Sequence, residues 1–249
     1  MRGGEFGNRT ALVTGGSRSI GRAICRMLAA AGARVAVNYV GDEDAARKTL
    51  EIMREAGGDG LIVRADVSKP EEVKRMVDTV RKDFGSIDFL INNAGIVDHL
   101  SHRELTFPVW KKSFEVNLDG PFLTTWAVKD EMIQRGFGRI VNVSSLAGVI
   151  PKIEMIHYAT AKAALIAFTK NCGVALAPFN VRVNSVAPGL TDTDRTAQAD
   201  PEMVARLVQG TPLGRMAHPA EIASVVEFLL SERSAFIAGE TILATGGRG

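Results

Sequence analysis

The sequence has little of what marks several specialised classes of protein. Two cysteines and four histidines in 249 residues supply neither a disulfide framework nor a metal site, since no metal-ligand spacing is present. No apolar run approaches the ~18 residues of a membrane span, and no signal peptide opens the chain. The net charge of +2 comes without a Lys/Arg block, which gives no basis for nucleic-acid binding. We therefore expect a cytoplasmic protein without a metal, membrane or nucleic-acid partner.

The composition is that of a globular protein, with 46% hydrophobic and 23% charged residues. No linker, repeat or change of composition divides residues 9–249, which predicts a single domain. Residues 1–8 have no periodicity, and Glu5-Phe6 is a pair that a common restriction site encodes. We expect this leader to be disordered or tag-like, and it takes no part in the predicted fold.

Short β-branched runs alternate with longer segments of helical spacing along the rest of the chain. The predicted strands are Thr10–Thr14, Arg34–Tyr39, Leu61–Ala65, Ile87–Ile91, Arg139–Val143, Val181–Val186 and Glu240–Ala244. The predicted helices are Ile20–Ala31, Ala45–Ala56, Pro70–Phe84, Phe107–Gln134, Tyr158–Leu176 and Pro219–Leu230. This alternation predicts an α/β fold, a Rossmann-type doubly wound parallel sheet of about seven strands with helices on both faces.

A glycine-rich turn directly follows the first predicted strand and opens the first helix. It reads Thr14-Gly15-Gly16-Ser17-Arg18-Ser19-Ile20-Gly21. Glycines permit a tight turn there, and the free N–H groups at the start of the helix can bind a pyrophosphate. Alone, the turn is also typical of any strand–helix connection. Its position in the first strand–helix unit favours dinucleotide binding.

Tyr158 and Lys162 are four residues apart, which places both side chains on one face of the predicted helix. A free tyrosine has a pKa near ~10, and a neighbouring ammonium group favours the phenolate. We therefore expect Lys162 to lower the pKa of Tyr158 toward neutrality. Such a pair by itself is most often a surface contact, so its meaning depends on the other motifs.

These residues and three further motifs resemble the classical short-chain dehydrogenase/reductase family over residues 9–247. The turn is similar to the family's TGxxxGxG pattern, with Ser19 where the middle glycine usually stands, so we do not expect this position to need a left-handed backbone. The other matches are Asn92-Asn93-Ala94-Gly95, which is similar to NNAG, Asp88 in the segment before it, and Pro188-Gly189 with Thr193, which resembles PGxxxT.

The resemblance implies a catalytic tetrad of Asn117, Ser145, Tyr158 and Lys162. Tyr158 would donate the proton, Ser145 would bind the substrate oxygen, and Lys162 would bond the nicotinamide ribose. Asn117 would hold a water that extends the proton path, or alternatively bend and pack its helix. Ser144 competes with Ser145, but the family's spacing from the tyrosine selects Ser145. The implied cofactor-binding residues are Gly15, Ser17, Arg18, Ser19, Ile20, Gly21, Asn38, Tyr39, Asp66, Val67, Asn93, Ala94, Gly95, Tyr158, Lys162, Pro188, Gly189, Thr191 and Thr193.

Two positions favour NADP(H) as the cofactor. Enzymes of this type that use NAD commonly have an aspartate where Tyr39 stands, because a carboxylate binds both ribose hydroxyls and repels a 2′-phosphate. Arg18 is placed as in NADP-linked members of the family, where the guanidinium pairs with the phosphate. The acidic residues 42–44 come after the strand, and we interpret them as charge at a helix start.

The segment after Ser145 is mostly apolar, which favours a hydrophobic ketone over a sugar as the small-molecule substrate. The nearest-looking subgroup is the 3-oxoacyl-thioester reductases, for acyl-carrier-protein or CoA thioesters. The positions that are basic in carrier-protein reductases fall on Gly136 and Phe179, which does not favour a carrier protein. The alternatives are an NAD-linked secondary-alcohol dehydrogenase and, in a different class, a catalytically silent nucleotide-binding regulator.

Two further expectations concern motion and assembly. The polar stretch at residues 190–215 interrupts the regular alternation and is predicted to be a substrate lid, with a permanently packed surface helix as the alternative. The family pairs its subunits through the helices that correspond to 107–134 and 158–176, so we expect a homotetramer.

Overall fold

Across residues 4–249, which the computed structural model describes, parallel strands form one central sheet. The strands are β1 (Thr10–Val13), β2 (Arg34–Tyr39), β3 (Asp59–Arg64), β4 (Phe89–Asn92), β5 (Gly138–Val143), β6 (Val181–Pro188) and β7 (Thr241–Ala244). Their order in this part of the chain is β3-β2-β1-β4-β5-β6-β7, with every pair parallel. The predicted doubly wound sheet is therefore confirmed.

Helices cover both faces of the sheet. They are α1 (Ser19–Ala30), α2 (Glu43–Glu55), α3 (Pro70–Phe84), α4 (Phe107–Phe114), α5 (Gly120–Arg135), α6 (Ile156–Leu176), α7 (Asp194–Ala197), α8 (Pro201–Gln209) and α9 (Pro219–Leu230). The strands and helices enclose two hydrophobic cores. One core contains the inner faces of α1 and α9, and the other contains the inner faces of α3, α5 and α6. Since β1 and β4 are covered on both sides, all of their residues are buried, which explains why their sequences are continuous apolar runs.

The predicted helix over 107–134 is wrong in one respect, because it is not continuous. A wide π-helical turn, Glu115–Asp119, separates α4 from α5, and the Gly120 N–H donates to the carbonyl of Glu115, five residues back. Pro121 has no N–H, so it cannot donate the α-helical bond to the carbonyl of Asn117, four residues earlier. Asn117 lies in this wide turn, in agreement with the interpretation that it marks a bend.

Residues 4–8 pack against the domain, so the expectation of a disordered leader is wrong for them. Phe6 is buried and meets Phe89 edge to face with 5.0 Å between ring centroids. Its backbone N–H donates to the carbonyl of Ala31 at 2.9 Å. The segment has no periodicity that would reveal this packing, but one aromatic side chain is sufficient to attach it to the core. Residues 1–3 lie outside the described part, and a tag-like origin of the leader stays a prediction.

Two expectations from composition can be compared with the described residues. Cys25 on α1 and Cys172 on α6 are free and buried, and burial raises the pKa of both thiols. Both are therefore packing residues rather than reactive thiols. No helix within residues 4–249 has the length and apolarity to cross a bilayer.

Candidate active site

A large open cavity of about 1310 Å³ lies along the edge of the sheet where the strands end. In the sheet, β1 lies between β2 and β4, so the strand order reverses its direction at β1. Doubly wound sheets bind ligands at the carboxyl edge beside such a reversal. The cavity is lined by many of the predicted site residues: Gly15, Arg18, Ser19, Ile20, Gly21, Asn93, Ala94, Gly95, Ser145, Tyr158, Lys162, Pro188, Gly189, Thr191 and Thr193.

The other predicted residues are not part of the cavity wall: Ser17, Asn38, Tyr39, Asp66, Val67 and Asn117. Asn38 is buried beneath the glycine-rich turn, where its Oδ1 accepts from the Gly15 N–H at 3.2 Å and its Nδ2 donates to the Ala65 carbonyl at 2.9 Å. Its amide thus supports the turn. Asp66 accepts from the Ser68 hydroxyl at 2.7 Å, and Tyr39 donates to Glu43 at 3.0 Å.

The glycine-rich turn needs two of its glycines for close packing. Gly15 has φ +60°, and a Cβ on it would lie 2.9 Å from the Cα of Ala94. A Cβ on Gly21 would lie 2.2 Å from the Gly15 carbonyl oxygen. Asn93 holds the other side of the turn, since its Nδ2 donates to the Gly15 carbonyl at 2.9 Å. The turn therefore has the close backbone packing that exposes N–H groups to a pyrophosphate, and it fits a dinucleotide.

Ser19 has φ +47°, so the expectation that this position does not need a left-handed backbone is wrong. For a residue with a Cβ, this conformation costs roughly 1–2 kcal/mol. The Ser19 hydroxyl accepts from the Asp194 N–H at 3.3 Å, which ties the turn to α7. The position does have the backbone that glycine favours, and the serine adds a contact that glycine lacks.

Arg18 forms an ion pair with Asp42. Asp42 also caps α2, where its Oδ1 accepts from the Ala45 N–H at 2.8 Å. The Ala45 N–H first, and Arg18 second, lower the pKa of the Asp42 carboxyl. Asp42 therefore supplies charge at the helix start, as the sequence indicates, and it also neutralises Arg18, the residue predicted to bind the 2′-phosphate.

Ser145, Tyr158 and Lys162 all line the cavity, and Ser145 and Lys162 both lie close to Tyr158. Lys162 Nζ donates to the Val143 carbonyl at 2.9 Å and lies 5.7 Å from the centroid of the Tyr158 ring. The Ser144 hydroxyl is used to bond the Lys162 carbonyl at 3.0 Å. The Ser145 hydroxyl lies beside Tyr158, where it acts to lower the tyrosine pKa. Of the two serines, Ser145 is therefore the better candidate to bind the substrate oxygen.

The expected lowering of the Tyr158 pKa is wrong for the protein without a bound cofactor. Burial raises the pKa of Tyr158 and outweighs the opposing effects of Ser145 and Arg195. Burial also lowers the pKa of Lys162 from 10.5 to about 8. Because the lysine is itself desolvated, its charge is less favourable than the sequence argument assumed.

Asn117 is buried behind Gly95, with its two amide atoms in different situations. Nδ2 donates to the carbonyls of Ile96 at 2.8 Å and Ser113 at 2.9 Å. Within residues 4–249, Oδ1 has no hydrogen-bond partner. The position that a Cβ of Gly95 would take lies 2.8 Å from this oxygen and 3.5 Å from Lys162 Nζ, so both atoms face the same small space.

Sequence patterns did not reveal a group of charged residues in the part of the cavity formed by residues 146–155, residues 194–207 and Arg248, which we call the substrate half. Lys152, Glu154, Arg195 and Arg248 line it together with apolar side chains that include Leu146, Ile153, Met155, Met203 and Leu207. Arg248 has no local pattern that would have revealed it, because it reaches the site from the end of the chain. In the described residues, no group of three or more His, Cys, Asp or Glu side chains could hold a metal ion.

Comparison with known proteins adds independent findings. A family model described as enoyl-(acyl carrier protein) reductase matches residues 15–248. The 3-oxoacyl-(acyl-carrier-protein) reductase of Aquifex aeolicus is 38% identical, with 96% of each chain covered. The corresponding enzyme of Staphylococcus aureus strain Mu50 is 37% identical, over 96% of this chain and 97% of that one.

Two solved structures have the same fold over nearly the whole chain. One is a short-chain type dehydrogenase/reductase from Mycobacterium marinum, which is 34% identical and covers 98% of this chain and 96% of its own, with a TM-score of 0.92. The other is a variant of actinorhodin polyketide ketoreductase with NADPH, 33% identical over 97% of both chains, also with a TM-score of 0.92. With the cavity and its side chains, these matches confirm the resemblance: the chain belongs to the short-chain dehydrogenase/reductase family and is a nicotinamide-dependent oxidoreductase.

Proposed function

We propose that this protein reduces a 3-oxoacyl-type ketone with NADPH, and that Tyr158 donates the proton to the carbonyl oxygen. The observation that supports this most strongly is the Tyr158 side chain, with Ser145 and Lys162 close to it, in the same cavity as the glycine-rich turn. The bound nicotinamide supplies the hydride. The test is consumption of NADPH with a 3-oxoacyl thioester by the wild-type protein, compared with its Tyr158→Phe variant.

Each member of the tetrad has a distinct part in this proposal. Ser145 donates a hydrogen bond to the substrate oxygen, and the raised pKa of Tyr158 keeps the phenol protonated until the oxygen becomes an alkoxide. Lys162, with a pKa of about 8, is able to release and regain a proton near neutral pH. Asn117 Oδ1 accepts from a water in the space that it shares with Lys162, which extends the proton path.

The 3-oxoacyl class is favoured by the named relatives and by the apolar side chains around the substrate half of the cavity. A carrier protein as the group that holds the acyl chain is less well supported. Arg135, which precedes Gly136 and could replace the missing basic residue there, donates to Asp88 and to the Ile87 carbonyl, each at 2.7 Å, so its guanidinium is already paired. We therefore propose a substrate that is a small molecule rather than a carrier-bound chain.

The Arg18–Asp42 pair is the observation that favours an NAD-linked enzyme as the second candidate, since a carboxylate near the ribose disfavours a phosphate. We propose instead that Arg18 leaves Asp42 and binds the 2′-phosphate. NADPH is then expected to bind at least ~10-fold tighter than NADH, the gain from one charge-assisted contact. Arg18→Ala should weaken NADPH binding and leave NADH binding unchanged.

Asp42→Asn is the matched variant, because asparagine is an equally good helix N-cap while its amide does not hold the arginine. It should strengthen NADPH binding without loss of thermal stability. Titration of both cofactors by fluorescence measures these constants. Equal dissociation constants for NADPH and NADH in the wild-type protein would contradict the proposed preference.

We also propose that residues 190–215 form a substrate lid. The helices α7 and α8 have no buried residue, while Met203 and Leu207 on α8 line the cavity. Such a segment has few contacts to lose when it opens.

NADPH plus a ketone analogue should therefore slow amide hydrogen exchange across 190–212. Ser19→Gly, which removes the bond to Asp194 but suits the left-handed backbone, should speed exchange in the free protein. Equal protection with and without ligands would favour a permanently packed helix.

We further propose a homotetramer. Phe122 and Trp126 are exposed on α5, stacked with 4.4 Å between ring centroids and close to Phe168 of α6. A second exposed apolar area, with Phe236 and Leu243, lies at the edge strand β7. Two such areas permit two different two-fold interfaces, which together form a tetramer.

Light scattering should give four times the chain mass of 26.7 kDa. Trp126→Glu should reduce that mass, and a monomeric wild-type protein would contradict the proposal.

A further inference from the structure

Two cationic side chains approach the substrate half of the cavity from different parts of the fold. Lys152 lies in the loop that joins Ser145 to α6, half-buried in the cavity wall. Arg248 follows β7, and its guanidinium carbon lies 4.0 Å from the position that a Cβ of Gly210 would take, at the end of α8. The pair therefore lies between the catalytic loop and the lid segment.

Neither cation is neutralised by the protein. Within residues 4–249, Lys152 and Arg248 form no ion pair with a carboxylate. Glu154 and Asp194 also line the cavity but pair with neither of them. Burial lowers the pKa of Lys152, and the charge of Arg248 lowers it further, so the two cations are close enough to repel each other. Repulsion between two half-buried cations is relieved by an anion bound between them.

The cofactor does not account for this pair. Its pyrophosphate is expected at the glycine-rich turn, and Arg18 is the candidate for its 2′-phosphate. Lys152 and Arg248 belong instead to the substrate half, with Pro151, Ile153 and Met155. Arg195 is not part of the pair, because its Nη1 donates to the Val97 carbonyl at 3.0 Å and its charge acts on Tyr158.

We propose that the ketone reduced by this protein has a carboxylate or phosphate group remote from its carbonyl, and that Lys152 and Arg248 bind this group. The proposal rests on the proposed ketone reduction and specifies its substrate. The apolar side chains between the two ends of the cavity contact the chain that joins the carbonyl to the anion. A guanidinium and an ammonium together suit a group with several acceptor oxygens.

Two pairs of substrates distinguish the sources of such an anion. One pair is a 3-oxo methyl ester and its analogue with a distal carboxylate. The other is the same 3-oxoacyl group as a pantetheine thioester and as a 4′-phosphopantetheine thioester. Steady-state kinetics with NADPH are measured for the wild-type protein, Lys152→Met, Arg248→Leu and the double variant. Lys82→Met, which removes an exposed lysine of α3 far from the cavity, is the control.

The wild-type protein should prefer the anionic member of at least one pair. Each single substitution should lower kcat/KM for that member about tenfold, the effect of one charge-assisted contact, and change the neutral member less than about threefold. If the substitutions affect only the substrate with the distal carboxylate, the physiological substrate is an oxo acid. If they affect only the 4′-phosphopantetheine thioester, the substrate is a phosphopantetheine thioester. No preference for either anionic member, or equal losses for charged and neutral members, would overturn the inference alone. Absence of NADPH consumption with all four substrates would overturn the proposed reduction itself.

Discussion

Tyr158→Phe is expected to lower kcat by about 10³-fold with a 3-oxoacyl thioester, within the range of ~10²–10⁴ that a general acid contributes. The substitution removes one hydroxyl and retains the ring, so the packing of α6 is unchanged. Of the side chains in this part of the cavity wall, Ser145 is expected to bind the substrate oxygen but has too high a pKa to supply its proton. The dissociation constant of NADPH and the thermal midpoint of unfolding should therefore stay close to those of the wild-type protein.

Two serine variants are the controls for this result. Ser145→Ala should lower kcat strongly, because it removes the hydrogen bond to the substrate oxygen. Ser144→Ala removes a hydroxyl that bonds the Lys162 carbonyl, so it should act mainly on stability. Single-turnover measurement of NADPH absorbance separates the chemical step from product release. A Tyr158→Phe protein that retains more than about a few per cent of wild-type kcat would show that the proton comes from another group.

Lys162→Met is expected to abolish most activity and yet leave the protein at least as stable at pH 7. Burial lowers the pKa of Lys162 from 10.5 to about 8, so the folded state holds the charged amine at a disadvantage. That shift means that burying the charged amine costs about 3 kcal/mol, which the variant avoids. The variant leaves the buried Val143 carbonyl without its hydrogen bond, which costs ~1–3 kcal/mol. A gain in the free energy of unfolding of roughly 1 kcal/mol is the expected balance at neutral pH.

The pH dependence gives the sharper test of this second prediction. Below pH 8 both the folded and unfolded states hold the proton, and the penalty for burying the charge is present in full. As the pH rises from 8 to 10.5, the folded state releases its proton first and the penalty disappears. The advantage of the variant in unfolding free energy should therefore fall by about 3 kcal/mol between pH 7 and pH 10.5.

Denaturant unfolding at a series of pH values measures this difference, with Lys82→Met as the exposed-lysine control. The control removes an exposed lysine of α3, so it measures the effect of losing one surface charge. Parallel curves for wild type and Lys162→Met would mean that Lys162 titrates as an ordinary lysine. The prediction concerns the free protein, so it can be measured without a substrate.

Local sequence patterns are sufficient to predict the fold class and the composition of most of the cavity wall. Strands buried on both faces must be short apolar runs, and amphipathic helices repeat every 3.6 residues, so local periodicity was sufficient to predict all strands of the described sheet. Parallel strands bring their carboxyl ends to one edge, so motifs that follow β1, β4, β5 and β6 had to meet there. The four-residue spacing of Tyr158 and Lys162 similarly required one helix face.

Features that depend on contacts between distant segments or on desolvation could be seen in the folded protein alone. Arg18 and Asp42 pair, Phe6 packs against Phe89, and Arg248 comes near Lys152, although no local pattern relates the members of any of these pairs. The wide turn at Asn117 and the left-handed Ser19 depend on how neighbouring elements pack. The charge of Lys162 was misjudged from sequence because a pKa depends on how much water the fold removes from the group, which a residue spacing does not express.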